Sequence, residues 1–63
     1  MEHKDRNDKV ISVGNKVKWY DPNIENRDLT RIYEVYAIFD EHICIADDYS
    51  EAEVFAHEVE IIN

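Results

Sequence analysis

The chain has 63 residues, 44% of them hydrophobic and 35% charged, with a single Gly, a single Pro and a single Cys. A chain this short supports one small core and no second domain, and its hydrophobic share is that of a globular protein rather than a disordered one. Fifteen acidic residues against seven basic ones give a formal net charge of −8, which works against ordinary binding to a phosphate backbone.

No stretch approaches the roughly 20 apolar residues of a membrane span, so no membrane partner is expected. The opening residues, Met1 to Lys9, lack the apolar segment of a secretory signal. Cys44 has no second cysteine to pair with, whereas small secreted domains usually carry several. Together these features point to the cytoplasm. The charge is unevenly spread. All seven Lys and Arg lie at or before Arg31 beside six acids, and the remainder of the chain holds nine acids and no base. Solubility alone accounts for such an excess, and steering of a cationic partner is the functional alternative.

Residues 1–9 alternate in charge and read as a flexible polar tail, leaving residues 10–63 as the folded domain. Order is expected from Val10-Ile11-Ser12-Val13, with Gly14-Asn15 as a turn. Lys16 to Tyr20 alternates polar and apolar like a half-buried strand, with Val17 and Trp19 inward and Lys16 and Lys18 outward. Asp21-Pro22-Asn23 ends it, since proline cannot donate to a ladder. A polar loop follows to Leu29, where Ile24 and Leu29 are candidate anchors. Thr30 to Phe39 is dense in β-branched and aromatic residues, and a short Asp40-Glu41 turn joins it to His42–Ala46 as an antiparallel hairpin. Asp47-Asp48-Tyr49 forms the next turn.

Residues 50–62 admit two readings. Ser50 and Glu53 have capping-box spacing, and Ala52, Phe55, Ala56, Val59 and Ile62 share a helical face. A helix there leaves a three-strand sheet with open edges. The other reading is a strand over Ala52–Ala56, a 3₁₀ turn at His57-Glu58 and a last strand over Val59–Ile62, with Val54, Ala56, Val59 and Ile61 inward.

The order strand, long loop, hairpin, short turn, strand, 3₁₀ turn, strand resembles the SH3-like small β-barrel. Trp19-Tyr20-Asp21-Pro22 and the stretch from Ile45 to Val54 are also similar to a group of short bacterial proteins. Members of that group commonly carry a proline where this chain has Ala56-His57. The resemblance covers roughly Val13 to Ile62. It implies an all-β, five-stranded SH3-like barrel with a 3₁₀ turn before the last strand, and it implies no activity.

The chemical motifs point away from catalysis. His42 and Cys44 are two apart on a predicted strand and so share a face. An activated thiol also needs an oxyanion hole and a cleft, which so small a barrel seldom builds, so Cys44 is expected to be structural. Zinc favours several Cys and His at short spacing, and calcium favours clustered carboxylates around a Gly-bearing loop. One Cys, scattered His and the run Asp47 to Glu53 match neither, so no dedicated metal site and no cofactor are expected. A lone Gly14 excludes a glycine-rich phosphate loop, and His57-Glu58 has no second histidine of a zinc-protease motif.

Seven aromatic residues remain, most of them needed for the core. Alternation sends Trp19 and Tyr20, and likewise Tyr33 and Tyr36, to opposite faces. In SH3-like barrels, aromatics beside the long first loop commonly line a peptide groove. That resemblance implies a strip of Tyr20, Tyr36 and Tyr49 near Trp19, with Asp21, Glu25 and Asp28 alongside, for a basic or proline-rich protein segment. The alternative is an acidic mimic of nucleic acid that occupies a basic, nucleic-acid-binding protein, using Asp47, Asp48 and the carboxylates around them.

Overall fold

Period-two alternation becomes five antiparallel strands in the computed structural model, which describes residues 2–23 and 31–63. They are β1 (Lys16–Trp19), β2 (Tyr33–Ile38), β3 (Ile43–Ala46), β4 (Glu51–Val54) and β5 (Val59–Ile61), with a 3₁₀ turn over Ala56–Glu58 before β5. The strands form one sheet in the order β4-β3-β2-β1-β5. This is the expected all-β, SH3-like arrangement. The expected placements of Ile24, Leu29, Glu25 and Asp28 fall outside the described residues.

The core is built from the inward side of each strand. Val17, Val35, Ile43, Ile45 and Val59 are wholly inaccessible, and Ile11, Tyr33, Val54 and Ala56 complete the buried cluster. Burying each Val or Ile contributes about 1.5–3 kcal/mol. Val35 and Ile45 face each other directly across the β2–β3 ladder. Trp19 packs against this cluster half-buried, its ring edge-on to Tyr33 at a centroid distance of 5.9 Å.

The C-terminal stretch takes the strand-and-turn path. A helix would have buried Phe55 and Ile62, yet both are exposed, while Val54, Ala56 and Val59 point into the core. The Glu58 N–H donates to the Phe55 carbonyl, and the Phe55 N–H donates back to the Glu58 side chain at 3.1 Å. That reciprocal pair holds the 3₁₀ turn without a proline. Ser50, the candidate helix cap, instead closes the β3–β4 turn by donating its N–H to Asp47.

Residues 2–9, read from the sequence as a polar tail, make backbone contacts of their own. Lys4 and Val10 form a β-bridge, and the Ile11 N–H donates to the His3 carbonyl, so the segment folds back on itself. Inside the bend lies Asp5, which is buried. Its Oδ1 accepts the N–H groups of Asn7 (2.9 Å) and Lys9 (2.8 Å), and its Oδ2 accepts that of Ile61 (2.8 Å). Next to it the Arg6 N–H donates to the Val59 carbonyl at 3.0 Å. Val59 and Ile61 turn these backbone groups away from β1, so the segment covers the outer edge of β5. At the opposite end of the sheet, β4 carries the exposed Glu51 and Glu53, charges that discourage edge-to-edge pairing.

Two outcomes test this architecture. Val35→Ala and Ile45→Ala should each lower the unfolding free energy by about 2–4 kcal/mol in urea titrations, and the double variant should depart from additivity because the residues are partners. Asp5→Ala strips the acceptor from three backbone donors and should cost about 2–3 kcal/mol. Burial works to raise the Asp5 pKa, but the N–H groups of Ile61, Lys9 and Asn7 and the Lys9 charge outweigh it and hold the carboxyl below its ordinary value. A carboxyl depressed in the folded state stabilises fully above its unfolded pKa, about 3.9, and loses that contribution as pH falls through the folded value. Acid titration of thermal stability should therefore be steeper below about pH 4 for the native chain than for Asp5→Asn.

Candidate functional site

Strand alternation that fills the core with Val35, Ile43 and Ile45 sends Glu34, Cys44, Ala46, Glu51 and Glu53 to the outer face of β2, β3 and β4. The ladder shifts register between Val35 and Ala37, which inserts Tyr36 as an extra residue. Such a bulge bends the strand and re-aims a side chain. Tyr36 is 46% exposed, and its hydroxyl donates to Glu51 at 3.3 Å. Desolvation, reinforced by Glu51 and Cys44, pushes the phenol above its usual pKa.

An open groove of about 550 Å³ runs beside Tyr36. Ile32, Tyr36 and Ala46 give it an apolar floor, and Glu34, Asp47, Asp48 and Glu51 ring it with carboxylates. Lys16 also lines it and is paired with Glu34. The wall formed by Asp47 is fixed in place. Its Oδ1 accepts the N–H groups of Tyr49 (2.9 Å) and Ser50 (2.8 Å), and its Oδ2 is paired with the Arg31 guanidinium. The Tyr49 N–H, then Arg31 and the Ser50 N–H, hold the Asp47 carboxyl below its ordinary pKa against partial desolvation.

The residues expected to form one strip are divided. Tyr36, Asp47 and Asp48 line this groove together. Tyr49 is 89% exposed at the tip of the adjoining turn and does not line the groove. Tyr20 is committed elsewhere: its hydroxyl donates to Glu60 on β5 at 2.9 Å, and the Arg6 guanidinium lies 3.7 Å above its ring. That Tyr20 hydrogen bond, then one from Asn7, lowers the Glu60 pKa. Tyr20 and Tyr36 thus bond to strands at opposite ends of the sheet order. Trp19 lines a second depression of about 370 Å³ with His42, Glu53 and Phe55, and its buried Nε1 has no hydrogen-bond partner among the described residues.

The sequence pairs His42 with Cys44 but not with Glu53. Antiparallel register sets Cys44 directly opposite Glu53, and the ligand atoms of His42, Cys44 and Glu53 lie within 4.8 Å of one another. The signal was present in outline, since His42 and Cys44 share a face. The third member needed the β3–β4 register. Cys44 is buried, on the outer face and outside the core cluster.

The chain matches no protein-family model, no curated protein and no solved structure. Among the described residues, no helix is long and apolar enough to cross a membrane.

Carboxylate titration by NMR tests the fixed wall of the groove. Asp47 should titrate below ordinary aspartate values, and Arg31→Ala should move its midpoint upward. The Tyr49 and Ser50 amide signals should shift with the same midpoint. An Asp47 that titrates normally and ignores Arg31 would contradict the latched turn.

Proposed function

We propose that this protein is a non-enzymatic interaction module of the cytoplasm that binds an extended, basic protein segment along the Tyr36 groove. The observation that carries this reading is the juxtaposition of an exposed aromatic ring with a rim of four carboxylates, Glu34, Asp47, Asp48 and Glu51. Lys16 and Arg31 pair with Glu34 and Asp47, so Asp48 and Glu51, the latter holding only the neutral Tyr36 hydroxyl, keep their charge for incoming cations. Tyr36 supplies a rigid, amphipathic contact surface at low entropic cost. A lysine or arginine side chain fits both features, stacking its stem or guanidinium on the ring while its charge meets the rim. A free, reduced Cys44 suits a cytoplasmic setting.

The acidic-mimic alternative has less support. Of the nine acids after Arg31, Glu34, Asp47, Glu51, Glu53, Glu58 and Glu60 already hold internal partners in Lys16, Arg31, the Tyr36 hydroxyl, His42, the Phe55 N–H and Tyr20. A phosphate-like array needs carboxylates spaced on one face and free to engage a partner.

Arrays of short lysine- and arginine-containing peptides, with neutral and acidic controls, test the proposal directly. Basic peptides should bind. Tyr36→Ala should weaken them by about tenfold or more, mainly through faster dissociation. Asp48→Asn combined with Glu51→Gln should slow association and flatten its salt dependence. Absence of binding to basic peptides, or binding indifferent to both variants, would overturn the groove. Salt-sensitive capture of a folded basic nucleic-acid-binding protein, unaffected by Tyr36→Ala, would put the mimic in its place.

A further inference from the structure

We infer that His42, Cys44 and Glu53 form a site for a single borderline-soft divalent transition-metal ion of the Zn²⁺ or Co²⁺ type. The argument begins with placement. His42 precedes β3 and Cys44 lies within it, two residues apart and so on one face, and the β3–β4 ladder brings Glu53 opposite Cys44. Imidazole, thiol and carboxylate thereby converge from two strands, with all three ligand atoms within 4.8 Å of one another and His42 Nε2 3.6 Å from Glu53 Oε2.

A tetrahedral ion bound at 2.0–2.3 Å separates its ligand atoms by about 3.3–3.8 Å. The His42–Glu53 distance already meets that spacing. The distances to the Cys44 sulfur, within 4.8 Å, close by about 1 Å through rotamer changes of Glu53, which is 75% exposed, and of His42, which is half-buried. A thiol with an imidazole selects Zn²⁺, Co²⁺ or copper over Ca²⁺ and Mg²⁺, which prefer oxygen alone.

Burial supplies the second observation. Cys44 is only 6% exposed although it points away from the core cluster. On the other side, His42 and Glu53 open onto the 370 Å³ depression, which Glu41 and Glu58 also line. That depression gives a cation an acidic approach and leaves a fourth coordination position for water. Three protein ligands with one open position describe an exchangeable site rather than a closed structural one. This inference does not depend on what occupies the Tyr36 groove.

Titration of the full, reduced chain with Co²⁺ tests it. The expected result is saturable 1:1 binding with a thiolate-to-cobalt charge-transfer band in the near ultraviolet, displaced by Zn²⁺. Cys44→Ser should abolish the band. Because Cys44 is buried, Glu53→Gln at an exposed position and His42→Gln at a half-buried one keep the test independent of folding. Each should weaken binding at least as much as the roughly 10–100-fold typical of losing an outer-shell partner. Asp40→Asn should leave the band and the stoichiometry intact. Absence of the band, affinity unchanged in Glu53→Gln and His42→Gln, or a band lost in Asp40→Asn would each overturn the site.

Discussion

Five β-branched side chains that water cannot reach, Val17, Val35, Ile43, Ile45 and Val59, hold this molecule together. They come from four of the five strands, so none of those strands is stable without the others. Their stiffness at χ1 suits a pleated surface, and their facing positions fix the register of each ladder. A slip by one residue would exchange Ile45 for Cys44 and turn Glu53 inward. The outer face is therefore a by-product of the inner one. The bulge at Tyr36, the thiol of Cys44 and the carboxylates of β4 stand where they do because the core permits no other register.

The strands and their inward residues were legible in the sequence because alternation is a local signal. Val17, Val35 and Ile45 follow from a period of two and need no tertiary knowledge. The C-terminal stretch was harder, since Ala52, Phe55, Ala56 and Val59 satisfy a helical period as well. Packing decided it: a strand there completes the sheet, while a helix leaves an edge. The role of Asp5 was illegible for a different reason. A charged residue in a polar segment reads as solvated, and only its partner Ile61, distant in sequence, reveals it as a buried acceptor.

The binding residues divide along the same line. Tyr36, Asp47 and Asp48 converge because they sit on adjacent strands and the turn that follows β3. Tyr20 was misplaced in the expected strip because its partners, Arg6 and Glu60, come from the two ends of the chain. The outer face now holds two neighbouring chemistries, and β4 serves both: Glu51 lines the groove and accepts the Tyr36 hydroxyl, while Glu53 stands opposite Cys44.

The clasp between Asp5 and Ile61 closes nearly the whole length of the chain. Loop-closure entropy grows only slowly with length, so the bond costs little more than a shorter one once the sheet exists. Its cost is one of timing. Contacts between distant residues slow folding, because both ends must be ordered before either is rewarded. During synthesis the residues around Asp5 emerge before β5, and although the bonds from Asn7 and Lys9 are local, those that join Asp5 to Ile61 and Arg6 to Val59 wait for that strand. Until then the outer edge of β5 does not yet exist to be covered. A ribosome-bound chain halted before Val59 would therefore leave residues 2–9 without their anchor on the sheet.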